Sequence, residues 1–112
     1  MLSIIVPCFN EEEAIPLFFV EMERVKESVI HDFEYIFIND GSSDRTLEEL
    51  RELAQMHSYV RYISFSRNFG KEAALYAGLQ ASKGELVTVM DVDLQDPPEL
   101  LPRMIEMIES SD

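Results

Sequence analysis

Asp91, Asp93 and Gln95 stand at alternate positions in the stretch MDVDLQDPP (residues 90–98), directly after an apolar run. Two carboxylates placed two residues apart project to one side of an extended backbone. The chain already carries a net charge of -13. More acid at one point repels itself unless it is well solvated or holds a cation. Oxygen ligands of this kind suit a hard divalent ion, Mg2+ or Mn2+, which keeps open positions for waters and for the phosphates of a substrate. Gln95 continues the alternation with a neutral oxygen. The plainer reading is a solvated loop followed by a helix cap. For Asp96, which precedes Pro97 and Pro98, that reading is preferred.

Other groups could serve the same chemistry. The stretch NDGSSD (residues 39–44) places Asp40 among turn formers, and Asp44 could equally cap the helix that follows. RNFGKEAAL begins with Arg67 and contains Lys71, two of only nine basic residues. Both stand where an anion could approach, and each could instead make a surface salt bridge. His31 and His57 lie in connections far from the carboxylates and read as solvated. Cys8 follows an apolar strand and reads as an inert thiol in or near the core.

These residues must be positioned by regular elements. SIIV (Ser3–Val6), closed by Pro7, suits a strand buried on both faces. Helical spacing follows over Pro16–Val29, with Pro16 in the first turn. Glu34–Asp40 reads as a second strand, Arg45–Met56 as a second helix and Val60–Ser66 as a third strand. Lys71–Ser82 is a small-residue helix stopped by Gly84, and Glu85–Asp91 is a fourth strand before the helix capped by Asp96. This βαβαβαβα alternation implies an α/β fold with a parallel sheet and helices on both faces. Ligands bind such sheets at the carboxyl ends of the strands. Asn10 and Glu11, Asn39 and Asp40, Arg67 and Asn68, and Asp91 and Asp93 each follow one strand, so all four sets converge on one edge.

Composition narrows the function. The chain's 112 residues are 46% hydrophobic and 28% charged, as expected for one globular domain. The 22 acidic residues against 9 basic ones argue against nucleic-acid binding. A lone cysteine makes no internal disulfide and points to a reducing compartment. No apolar run approaches the ~20 residues of a membrane span, and the acidic start is unlike a signal peptide.

Four stretches together, IIVPCFNEEE, IFINDGSSDRT, FSRNFGKEAALYAGL and VTVMDVDLQDPPE, resemble the successive motifs of family 2 glycosyltransferases. The similar branch contains the polyprenyl-phosphate hexosyltransferases, and SRNFGKE followed by DVDLQDPPE favours the bacterial bactoprenol type over dolichyl-phosphate mannose synthase. The resemblance covers almost the whole chain. It implies a GT-A (Rossmann-like) fold, a nucleotide-diphospho-sugar donor such as UDP-glucose, a divalent metal, and transfer with inversion to a membrane polyprenyl phosphate. By match of motif, Pro7, Phe9 and Glu11 line the nucleotide pocket and Asp40 accepts a hydrogen bond from the base. Asp91 lies against the nucleotide or metal, while Asp93 and Gln95 ligate the metal. Arg67 and Lys71 join the donor site. The family often has aspartate where this chain has Asn39.

Family members run well beyond this length, so residues 1–112 read as the donor-binding half of a GT-A domain. The complete protein is expected at the cytoplasmic face of the membrane, and this chain without turnover of its own. A non-catalytic nucleotide-sugar-binding or interaction module is the competing reading. A phosphoacceptor receiver domain would need an aspartate after the third strand, where SFSRN has none. A dinucleotide-binding domain would need a glycine-rich turn after the first strand, where VPCFNEEE has none. In the expected strand order 3-2-1-4 the fourth strand is an unblunted edge, which points to a two-fold dimer through or near it.

Overall fold

A computed structural model describes residues 1–93. Gln95 and the expected helix capped by Asp96 lie outside the described residues. Seven elements alternate: β1 (Leu2–Cys8), α1 (Ala14–Lys26), β2 (Phe33–Asn39), α2 (Thr46–Met56), β3 (Val60–Ser64), α3 (Lys71–Ala81) and β4 (Leu86–Val89). The four strands form one sheet in the order β3-β2-β1-β4, parallel throughout.

β1 and β2 are apolar along nearly their whole length because both faces of the sheet are covered. One face carries Leu2, Ile4, Val6, Phe33, Tyr35 and Phe37, and meets Phe18 and Met22 of α1 and Leu50 of α2. The other carries Ile5, Ile36 and Ile38, packed on Ala74 of α3. The aromatic residues of β2 form a ladder, with the Tyr35 and Phe37 rings stacked at 5.9 Å. Glu23 of α1 accepts hydrogen bonds from the Tyr35 and Tyr59 hydroxyls, so the two tyrosines bury without an orphaned O–H.

Several boundaries differ from the expectation for physical reasons. β1 does not stop at Pro7 but runs to Cys8, with Pro7 opposite Ile38. Met90 N–H donates to Ile5 O, and Asp40 N–H to Cys8 O. Odd positions of β1 therefore face β4 and even ones face β2. Pro7 points past the last residue of β4, where no partner needs its missing N–H. α1 begins two residues early and ends at Lys26. Beyond it, Ser28 and Val29 close tight turns onto Val25 and Lys26 carbonyls. β3 ends at Ser64, opposite Asn39, the last residue of β2. His57 is not solvated: its ring packs 4.9 Å from that of Phe19 and its Nδ1 lies 3.1 Å from the Tyr59 hydroxyl. The residue follows α2 directly, and the start of β3 folds it under α1. His31 is also half-buried.

Candidate functional site

The loops after the strands are tied to one another before any ligand is considered. The loop after β1 is held by the loop after β2. Asn10 N–H donates to Ser42 Oγ at 2.9 Å, and Ser43 N–H to Asn10 Oδ1 at 2.8 Å. Glu11 N–H donates to Thr46 Oγ1 at 2.9 Å, and Glu12 N–H to Asp44 Oδ2 at 3.2 Å. Asn10 adopts a φ of 54°, a left-handed conformation that asparagine tolerates. Asp44 also accepts from the Thr46 N–H and hydroxyl. Burial would raise its carboxyl, but these donors outweigh it and hold the group below the usual aspartate range. Asp44 thus stabilises the start of α2, as expected, and also fastens the neighbouring loop. Nothing in the sequence marked Ser42 and Thr46 as partners of residues more than thirty positions away. Their turn-forming types were the only hint.

Asp40 is fastened to the loop after β3. Its Oδ1 accepts from Phe69 N–H at 2.7 Å, and its Oδ2 from Gly70 N–H at 3.1 Å and Asn68 Nδ2 at 3.2 Å. Gly41 lies so close to this loop that a Cβ would meet the Arg67 carbonyl carbon at 2.2 Å.

Pro7, Glu11, Lys71, Asp91, Val92 and Asp93 line one polar cavity of about 270 Å3 at the carboxyl ends of β1 and β4. Five of the residues proposed from the sequence therefore meet, from β1 and the loop after it, the start of α3 and the turn after β4. The route for Asp91 and Asp93 differs from the expected one. β4 ends at Val89, and Val92 turns into the core with Asp93 in the same turn. Burying Val92 within this turn, and not an extended backbone, sets the two carboxylates on the cavity. The Glu11 carboxyl is raised above its ordinary range by burial first, then by the charges of Asp93, Asp44 and Asp91. Lys71 Nζ lies 3.2 Å from Asp91 Oδ1, in the exposed salt bridge that the plainer reading expected. Such a pair contributes little to stability, so its cation can be given up to another anion.

Phe9, Asp40 and Arg67, also proposed from the sequence, are not among the residues that line this cavity. Phe9 is 48% exposed. The Arg67 guanidinium stacks 4.5 Å from the Phe69 ring centroid. Cys8 is buried, with its thiol raised by burial and by Glu11 and Asp44, which makes it the inert group expected. Among the described residues no three acidic, histidine or cysteine side chains converge closely enough to form a complete metal cage. The donor set still fits Mg2+ or Mn2+ in the mode where one or two carboxylates anchor an ion completed by substrate phosphates and water.

The family profile described as glycosyl transferase family 2 matches residues 3–112. The chain belongs to this family. It is 50% identical over 105 residues to the bactoprenol glucosyl transferase of Shigella phage SfX, covering 94% of this chain and 34% of that protein. Among solved structures, glucosyl-3-phosphoglycerate synthase from Mycobacterium tuberculosis, in complex with Mg2+ and uridine diphosphate, superposes with a TM-score of 0.71. It is 27% identical and covers all of this chain and 40% of that one. The S. aureus TarS structure superposes with a TM-score of 0.72 at 23% identity, over 96% of this chain and 32% of that one. The fold of this family 2 chain is therefore GT-A, as expected from its motifs. The chain spans about a third of the length of the curated relatives it matches.

Proposed function

We propose that this family 2 chain is the donor-binding part of an inverting hexosyltransferase. The enzyme moves glucose from UDP-glucose to a membrane polyprenyl phosphate at the cytoplasmic face of the membrane. The observation that carries the reading is the meeting of Pro7, Glu11, Lys71, Asp91 and Asp93 in one polar cavity at the carboxyl ends of parallel strands. The name of the Shigella phage relative supports the sugar and acceptor, and the M. tuberculosis complex supports the nucleotide.

Asp91 and Asp93, with Gln95, would hold Mg2+ or Mn2+, and a bound ion of this kind offsets the charge gathering on a departing diphosphate. Pro7, Phe9 and Glu11 line the nucleotide side. Lys71 offers its ammonium to a phosphate oxygen in exchange for Asp91, and Arg67, in the loop after β3, offers a second cation. A phosphate acceptor is already an anion, so it needs less help from a general base than a hydroxyl would. The chain by itself is expected to bind the donor without turnover. A non-catalytic nucleotide-sugar-binding module is the alternative, and transfer by a longer form of the protein would exclude it.

Calorimetry with UDP and Mn2+ tests the site. Asp93→Ala is expected to weaken Mn2+-dependent UDP binding by about tenfold or more with the fold intact. Equal affinity in the two proteins would remove the metal assignment. Tighter binding of GDP than UDP would move the donor toward the mannose-transferring branch.

The exposed edge carries a separate expectation. Among the described residues β4 pairs only with β1, and Val87 and Val89 are exposed. The chain is expected to form a two-fold dimer through or near β4. Light scattering at low and high salt checks this, and a monomer under both conditions would refute it.

A further inference from the structure

We infer that the groove between α1 and α2 docks a short amphipathic helix of a partner protein, one that carries Arg or Lys beside its apolar stripe. The groove shares no lining residue with the donor cavity, so the inference stands apart from the donor-site reading.

The groove has a volume of about 370 Å3. Ile15 and Pro16 form its α1 wall, and Glu49, Glu52, Leu53 and Met56 its α2 wall. Positions 49, 53 and 56 are four and three apart and so share one helix face. That face is acidic toward the start of α2 and apolar toward its end. Met56 is 75% exposed, and Val20, one turn on from Pro16, is 65% exposed. Large apolar side chains left in water along a groove mark a contact surface.

Charge identifies the occupant. Glu49 Oε2 is buried and has no hydrogen-bond partner among the described residues. A carboxylate oxygen withdrawn from water without a donor is costly. Burial raises the Glu49 carboxyl above its ordinary range, and the charges of Glu12, Asp44 and Glu52 raise it further. Arg45 offsets part of this charge, but its guanidinium lies 3.1 Å from Glu48. A cation brought by a partner completes the group. Both walls are helices, so the groove offers no strand edge to an extended peptide. Its acidic side repels an anionic lipid surface. A second copy docked by the same face on a two-fold axis would set Glu49 and Glu52 against their own kind. From residue 49 to residue 56 a helix rises about 10 Å. The complement is therefore a helix of about two turns, with apolar residues on Leu53 and Met56 and a cation on Glu49.

The probe is a fluorescent model helix of leucine, alanine and lysine, its leucines at i, i+4 and i+7 with lysines flanking them. Anisotropy is expected to give a Kd of about 10–100 μM, and the same helix with glutamate for lysine is expected not to bind. Glu49→Gln with Glu52→Gln should weaken binding about tenfold, and Met56→Ala about fivefold. Glu72→Gln with Glu85→Gln removes equal charge from exposed positions outside the groove. That pair should change binding by less than about twofold. Glu49→Gln alone should raise the urea midpoint of the chain without peptide, because it removes a buried charge with no partner. A carboxylate that serves only the fold would lower it.

Equal losses from the two charge pairs would reduce the binding to attraction by net charge and overturn the inference. Binding of the glutamate helix, or no binding of the lysine helix, would overturn it as well. A lowered midpoint in Glu49→Gln would show that the carboxylate is satisfied within the chain, with the same consequence. Anionic lipid vesicles that bind the wild type and not Met56→Ala would give the face to a membrane instead. A dimer that Met56→Ala dissociates in light scattering would give it to a second copy, and either result refutes the partner helix.

Discussion

Gly41→Ala is expected to destabilise the protein by about 2–5 kcal/mol, the sum of two costs. Gly41 has a φ of 70°, a left-handed conformation that costs a residue with a Cβ about 1–2 kcal/mol. The new methyl would also stand 2.2 Å from the Arg67 carbonyl carbon and 2.3 Å from Asn68 N. Those are backbone atoms of the turn that Asp40 holds, so they cannot swing aside as a side-chain tip would. Forced overlap of this kind typically adds about 1–3 kcal/mol. Gly70→Ala is the control. Its φ is also positive, at 101°, but nothing lies within 4 Å of its added Cβ. Its ψ of 162° puts it in a region essentially reserved for glycine, so it carries a backbone cost of about 1–3 kcal/mol without any overlap. In thermal unfolding, Gly41→Ala should melt about 10 °C or more below wild type. A fall no larger than the left-handed backbone cost of about 1–2 kcal/mol allows would mean that the two loops are not in contact.

Glu34→Ala should cost about 2–4 kcal/mol at neutral pH, at the opposite end of the sheet. Glu34 is buried near the start of β2. Its carboxylate accepts from Ser3 Oγ at 2.5 Å, Lys83 N–H at 2.7 Å and Arg61 Nη2 at 2.8 Å. Ser3 Oγ in turn accepts from Gly84 N–H, and Arg61 also donates to Ala81 O at 2.6 Å. One carboxylate therefore fastens the α3–β4 connection to three strands. Removing it takes the acceptor from the buried Ser3 hydroxyl and from the partly buried Lys83 N–H. Arg61 is partly exposed and can turn to water, which keeps the cost below that of a fully buried pair.

The same network sets a pH dependence. Burial alone would raise the Glu34 carboxyl, but the hydrogen bonds from Ser3, Lys83 and Arg61 and the Arg61 charge outweigh it. They hold the group below its ordinary value. A depressed folded value contributes stability that is complete above the unfolded carboxylate range, about 4.3, and is lost as pH falls through the folded value. Glu34→Gln keeps the volume without the charge, so its deficit relative to wild type should shrink as the pH falls below about 4. Urea midpoints at several pH values measure this. A deficit that stays constant from neutral to acid would show that the charge contributes nothing.

Much of this architecture was legible in residue order. Continuous apolar runs marked β1 and β2 as buried on both faces, and helical periodicity between them called for parallel strands. The handedness of such crossovers leaves few sheet orders, and the observed β3-β2-β1-β4 was among them. Parallel strands all end at one edge, so the polar residues after each strand were bound to gather there, as Glu11, Lys71, Asp91 and Asp93 do.

Other features depended on contacts that no local pattern reports. Pro7 looked like a strand terminator, and only the early end of β4 beside it makes a proline harmless inside β1. His57 looked solvated until α1 and β3 closed around it. Asp40 read as a ligand-facing acid, and no local pattern reports that a loop some thirty residues later also donates to its oxygens. Glu34 sits in an apolar strand with no local sign that Ser3, Arg61 and Lys83 will meet it. Periodicity and turn chemistry act between residues a few positions apart, so the sequence by itself determined the elements, their alternation and the edge where chemistry gathers. Which carboxylate faces the cavity and which is used up inside the protein depends on how far apart the folded loops lie. Only the tertiary structure decided that.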